Sequence, residues 1–155
     1  MRGLTRAALA SRVLRVQPDG EYGNPTARHA EVDVVRAVYT AFARRDVEAA
    51  LEHLDAGVEF VPAGTASLVG RSAPYTGHDG VREYFADAAR AWNDLALHAD
   101  DFRVTVGSVV VFGRIEGVVA LTGKRFEASA VWVWRVRDGK ATSMRATSLG
   151  AAPPS

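Results

Sequence analysis

The chain has 155 residues, 48% of them hydrophobic, and a formal net charge of +1, enough length and apolar content for one domain with a buried core. That charge balance supplies no electrostatic footprint for nucleic acid, and the absence of cysteine excludes disulfides, thiolate metal sites and a Cys nucleophile. No apolar run approaches the length needed to span a bilayer, so the expectation is a cytoplasmic protein with neither a membrane nor a nucleic-acid partner.

Residues 1–30 differ from the rest. Arg2, Arg6, Arg12 and Arg15 precede the first acid, Asp19, and Ala7-Ala8-Leu9-Ala10 is too short for a secretory apolar segment. This stretch is expected to be a flexible N-terminal extension, with 31–149 as the folded domain and 150–155 as a disordered tail. Arginine far outnumbers lysine, which occurs only at Lys124 and Lys140, a bias of GC-rich bacterial coding sequences.

Val35, Val38, Tyr39 and Phe42 fall at i, i+3, i+4 and i+7, which predicts a helix over about 31–45. Asp46 is placed to cap a second helix, with Glu48 in its first turn, Val47, Ala50, Leu51 and Leu54 inward, and a stop at Gly57. Val58 to Pro62 reads as a short strand that the proline ends. Gly64, Gly70, Pro74 and Gly77 mark 63–79 as a loop long enough to cover a pocket mouth. A third helix starts near Asp79 and carries Val81, Tyr84, Phe85, Ala88 and Trp92 on its buried side. Strands follow at about 96–106, 108–119, 125–137 and 140–149, with turns at Gly107-Ser108 and Thr122-Gly123. Asp138-Gly139 is the strongest hairpin signal, a two-residue turn suited to type I′ geometry.

This order predicts an α+β cone, with three helices packed on a curved antiparallel sheet of four to five strands that encloses a pocket. Three stretches carry a resemblance: Asp46 followed by Val58-Glu59-Phe60-Val61-Pro62; Tyr75 to Phe85 with its Gly77-His78-Asp79-Gly80; and Val136-Arg137-Asp138-Gly139-Lys140 leading to Met144-Arg145. Over about residues 31–149 the chain resembles the nuclear transport factor 2-like superfamily, and within it the SnoaL-like branch. Relatives include polyketide cyclases, ketosteroid isomerases, epoxide hydrolases, dehydratases and members without chemistry, so the resemblance implies the cone and leaves activity open.

Carried over position by position, the isomerase tyrosine falls on Val38, with Tyr39 one residue off. The isomerase base falls on Val61, and the acid shared with SnoaL-type cyclases on Trp132. All three are apolar or aromatic, which argues against proton shuttling of the isomerase type. The resemblance to epoxide hydrolases implies an Arg and an acid two residues apart on the second long strand, facing the cavity, and Arg114-Ile115-Glu116 has that spacing. The second acid of that arrangement falls on Ala146, so half of it is missing.

Strand parity then groups the side chains. If Trp132 faces the cavity, so do Phe126, Ala128, Ala130 and Trp134; the epoxide hydrolase comparison adds Phe112, Arg114, Glu116 and Val118, and the last strand adds Met144 and Ala146. The predicted pocket is apolar and aromatic with one embedded charge pair, a site for a hydrophobic small molecule. Glu116 and Arg114 are the candidate acid–base unit, the carboxyl pKa raised by apolar walls and pulled back by the guanidinium. Their other reading is a structural ion pair. Trp132, Phe112, Tyr39, Glu59, Tyr75, Met144 and Trp92 are candidate ligand contacts, with core packing the competing role of the aromatics and a solvated strand edge that of Glu59. His78 reads as structural at a helix start, and His98, among Asp94, Asp100 and Asp101, as solvent-exposed. No metal-ligand spacing or cofactor motif occurs, so neither metal nor cofactor is expected. Ser129, Val131 and Val133 form an outward strand face too apolar for water, which predicts a homodimer through the sheet.

Three functional readings stay open. One is a cofactor-independent enzyme of hydration, epoxide hydrolysis, elimination, isomerisation or cyclisation, using Glu116 and Arg114. The others are a non-catalytic binding protein with the same pocket and a dimeric protein-interaction module.

Overall fold

The computed structural model describes residues 25–149; the expected extension lies mostly, and the expected tail wholly, outside them. Helix α1 spans Pro25–Ala43, starting ahead of the predicted residue 31, with proline at the first helical position, where its missing N–H leaves no bond unmade. Val32, Val35, Val38 and Phe42 are buried along one side of it, the stripe that its sequence period requires.

Helix α2, Val47–Leu51, is capped by the Asp46 carboxylate, which accepts from the Ala49 N–H at 3.1 Å. It stops well short of Gly57. Strand β1 runs over Leu54–Val61, because Leu54 pairs with Ala141 on the last strand. Leu54 continues the helical spacing of Ala50 and Leu51, and equally the alternation of Val58 and Phe60. Pairing with a distant strand decides between the two.

The predicted loop holds a short helix α3, Thr65–Leu68, and a two-residue strand β2, Tyr75–Thr76, paired antiparallel with β1. Helix α4 spans Gly77–Ala91 and buries Val81, Tyr84, Asp87 and Ala88. At its start His78 Nε2 donates to the Leu54 carbonyl at 2.9 Å, tying helix to strand.

Strands β3 (Ala96–Thr105), β4 (Ser108–Val118), β5 (Arg125–Arg137) and β6 (Lys140–Leu149) form an antiparallel run. The sheet order is β2-β1-β6-β5-β4-β3. β1 lies parallel to β6, so the sheet is mixed and has six strands, where the sequence predicted four or five antiparallel ones. Asp138 and Gly139 take φ values of 52° and 79°, both positive, as the type I′ turn demands. The helices lie across one side of this open sheet, with the core between them. Among the described residues no helix is long and apolar enough to cross a membrane.

The register of β4 overturns one expectation. Val111 stands opposite Trp132, Gly113 opposite Ala130 and Ile115 opposite Ala128, and Val109, Val111 and Ile115 are buried. Inward residues on β4 are therefore the odd-numbered ones. Phe112, Arg114, Glu116 and Val118 point to the opposite, outer side of the sheet. The strand's own pattern carried this signal, since Val109, Val111 and Ile115 alternate with Gly113 and Gly117 in step. The comparison with epoxide hydrolases imposed the other parity.

Gly113 locks that arrangement. The register of β3 against β4 shifts between Ala99 and Asp101, a bulge beside the point where the His98 carbonyl leans over Gly113. A Cβ at this position would lie 1.7 Å from the His98 oxygen and 3.2 Å from Cζ3 of Trp132. Gly113→Ala is expected to lower stability by about 3 kcal/mol or more, read as the midpoint of urea unfolding. An unchanged midpoint would show that β3 can move away without cost.

Candidate functional site

Between helices and sheet the inward side chains meet in an aromatic cluster. The Tyr39 ring, from α1, lies 5.5 Å from Trp132, 5.7 Å from Trp134 and 6.3 Å from Phe102, each edge-on. Such contacts contribute about 0.5–1.5 kcal/mol each beyond burial. The Tyr39 hydroxyl accepts from Trp134 Nε1 at 3.1 Å. Phe60 reaches the same cluster from β1, 6.2 Å from Trp134 and 5.0 Å from Tyr84.

Tyr39, Phe60, Tyr84, Trp132 and Trp134, with Val38, Phe42, Ile115 and Met144, line an interior space of about 30 Å³. That is room for a water or two, far below the roughly 300–1,000 Å³ of an occupied small-molecule pocket. Pro62, Ala63 and Leu97 also line it and are only half-buried, so this end of the space lies nearest to solvent. The lining holds no carboxylate, imidazole, amine or guanidinium. Its polar side-chain groups are two phenols and two indole N–H groups. Burial pushes the Tyr39 pKa well up and that of Tyr84 up to about 12, so both stay protonated and neither is a base near neutral pH.

Of the predicted contacts, Trp132, Tyr39 and Met144 stand in this lining. The others do not. Glu59 is exposed between the buried Val58 and Phe60, because inward parity on β1 belongs to the even positions. Tyr75 is fully buried, its hydroxyl donating to Asp87 Oδ2 at 2.8 Å and its ring under the Arg71 guanidinium. Trp92 is buried with its Nε1 donating to Thr65 Oγ1 at 3.0 Å. Phe112 is 38% exposed on the outer side, beneath the Arg103 guanidinium. Phe42, Phe60, Tyr84 and Trp134 complete the lining; the sequence had marked Phe42, Tyr84 and Trp134 as inward but not as site residues.

Arg114 and Glu116 do meet, on the outer side. Arg114 Nη1 donates to Glu116 Oε2 at 2.9 Å, and His98 Nε2 lies 3.3 Å from Glu116 Oε1. Arg114 Nε is 3.9 Å from Asp100. The nearby His98 imidazole first, then the hydrogen bond from Arg114, holds the Glu116 carboxyl below its ordinary pKa. The sequence-based expectation was a rise through contact with apolar walls. The walls are on the other side of the sheet, and a carboxyl shifted downward is a poor proton donor at neutral pH. Among the described residues no cluster of His, Cys, Asp and Glu could hold a metal ion.

The sequence matches the profile of the SnoaL-like domain family over residues 35–144. The chain belongs to that family. Among solved structures, this SnoaL-like domain is similar to an NTF2-like protein of unknown function from Burkholderia pseudomallei, with 25% identity and a TM-score of 0.69 over 77% of this chain and 90% of that one. It is also similar to TerC, crystallised with polyporic acid, with 31% identity and a TM-score of 0.68 over 77% of this chain and 91% of that one. An NTF2-like protein from Burkholderia thailandensis shares the fold, with 23% identity and a TM-score of 0.67 over 75% and 88% of the two chains. No curated protein matches the sequence. The α+β cone is thus the nuclear transport factor 2-like fold.

Because the folded-state pKa of Glu116 is depressed, its contribution to stability is present above pH 4.5, its ordinary value, and fades as pH falls through the lowered one. A carboxyl-detected NMR titration should give Glu116 a midpoint below 4.5. The shift should shrink in a His98→Ala variant. A midpoint at or above the ordinary value would dissolve the ion-pair reading.

Proposed function

We propose that this SnoaL-like domain is a binding protein for a flat apolar small molecule, admitted to the cone interior when Tyr39, Trp132, Trp134, Phe60 and Met144 move apart to enlarge the space of about 30 Å³ between them. The observation that carries this is the lining itself: aromatic faces, aliphatic carbons and two protonated phenols, with no group able to move a proton near neutral pH. The likeness to TerC, crystallised with polyporic acid, supports a small organic ligand. The half-buried end at Pro62, Ala63 and Leu97 is where such a molecule would displace the lining and enter. The enzymatic reading, by hydration, epoxide hydrolysis, elimination, isomerisation or cyclisation, drew its support from an inward Glu116 and Arg114. The charge-free lining favours binding over that reading.

The same reading includes a second copy of the chain on the outer side of the sheet. Val110 pairs with Val133 and Phe112 with Val131 across β4 and β5, a stripe in which Phe112 and Val133 remain 38% exposed. Arg103, Arg114 and Arg135 flank it together with Asp101, Glu116 and Glu127. Both signs beside one apolar stripe suit a patch that meets itself across a twofold axis.

Two outcomes are expected. Neutral diphenylbenzoquinone should quench the tryptophan fluorescence saturably, and Ala63→Phe, which fills the half-buried mouth, should abolish saturable quenching while the circular dichroism stays unchanged. Linear, unsaturable quenching in the wild type, or equal binding by Ala63→Phe, would end the interior reading. Separately, the wild type should scatter light as a dimer at micromolar concentration and the folded double variant Val131→Glu, Val133→Glu as a monomer; a monomeric wild type would exclude the sheet dimer.

A further inference from the structure

A groove of about 460 Å³ runs between the end of α1, α2 and α4, lined by Phe42, Phe85, Trp92 and Leu95 with the polar Arg45 and Asn93. Its volume lies within the range of small-molecule sites. The Phe42 ring borders both this groove and the interior space and separates them. Trp92 is a rigid wall. A Cβ on Gly117 would lie 2.6 Å from its Cε3 and one on Gly64 would lie 3.3 Å from its Cζ2, while Thr65 holds its Nε1.

Arg45 is the unusual element. The Asp46 N–H donates to the Ala41 carbonyl and the Arg45 N–H to the Phe42 carbonyl, each at 2.9 Å, the pair of bonds that ends a helix in a Schellman motif. In that motif the left-handed residue is usually glycine, and here it is Arg45, at φ 58°. A side chain therefore stands where the backbone would be least strained without one. The guanidinium folds back over the groove, its carbon 4.7 Å from the centre of the Phe42 ring. One terminal nitrogen donates to the Phe42 carbonyl at 2.8 Å and the other to the Leu95 carbonyl. Those bonds use two of its five N–H donors, and no Asp or Glu lines the groove.

From this we infer a second binding site, distinct from the interior, selective for a planar aromatic acid. The ring lies against Phe42, Phe85 and Trp92, and the carboxylate takes the remaining donors of Arg45. A charge-assisted pair beside an apolar wall is stronger than the same pair in open water. A neutral aromatic of equal size receives only the wall.

The test compares naphthoate with naphthalene methanol, titrated into the full chain and followed through backbone amide shifts. Naphthoate should bind at least about tenfold more tightly, with the largest shifts at Arg45, Asn93 and Leu95. Arg45→Gly suits the left-handed backbone, so the variant should fold and bind naphthoate no better than the alcohol. Arg45→Gln, which keeps the chain length without charge, should behave alike and decides the matter if the glycine variant proves unstable. Equal affinities for acid and alcohol, undiminished binding by the folded variants, or no saturation below about 10 mM would overturn the proposal. Shifts confined to the Trp132 and Trp134 indoles would overturn it while leaving the interior reading intact.

Discussion

The position of the Tyr39 ring governs this molecule. It stands on α1 with its edges against Phe102, Trp132 and Trp134, and its hydroxyl satisfies the Trp134 indole N–H. Without that acceptor a buried N–H would be stranded. Because Tyr39 bridges the long helix to two strands, β3 and β5, at once, it sets the distance between the helical layer and the sheet. That distance leaves little room: the cone is nearly filled by this chain's own aromatic rings.

The sheet then sorts chemistry by parity. Even residues of β5 and odd residues of β4 face the helices and are apolar, aromatic or glycine. The alternate set carries Arg103, Arg114, Glu116, Glu127 and Arg135. Burying a charge without a partner is costly, and this arrangement avoids the cost by keeping every charge of these strands on the outer side. One consequence is an interior lining without a carboxylate, imidazole, amine or guanidinium. The other is an outer side where charged residues surround an apolar stripe.

Glycine placement makes the sorting possible. Gly113 admits the His98 carbonyl at the β3 bulge, and Gly117 admits the edge of Trp92. Each is a point where a backbone or a large ring approaches β4 more closely than any side chain would permit. The two glycines keep the inward parity of β4 uninterrupted although they contribute no side chain to it.

Local signals were legible in the sequence. The stripe Val35, Val38, Phe42 made α1, Asp46 capped α2, Asp138-Gly139 made the type I′ turn, and the alternation around Trp132 gave β5 its inward side. Each depends on residues within a turn or two of one another, where sterics and periodicity act directly. Three features depended on pairing at a distance. Leu54 satisfied a helix and a strand equally until Ala141 paired with it. The parity of β4 rested on a one-residue choice, and that choice moved Arg114 and Glu116 from the interior to the outer side. The closing of the cone came from α1, β3 and β5 meeting at Tyr39. By itself the sequence determined the long helices, the four long strands, the family and an aromatic interior; only the tertiary structure decided the short elements α3 and β2, the bounds of α2 and β1, which side of the sheet carries the charges and how much space the rings leave, because register and layer spacing are set by contacts between segments far apart in the chain.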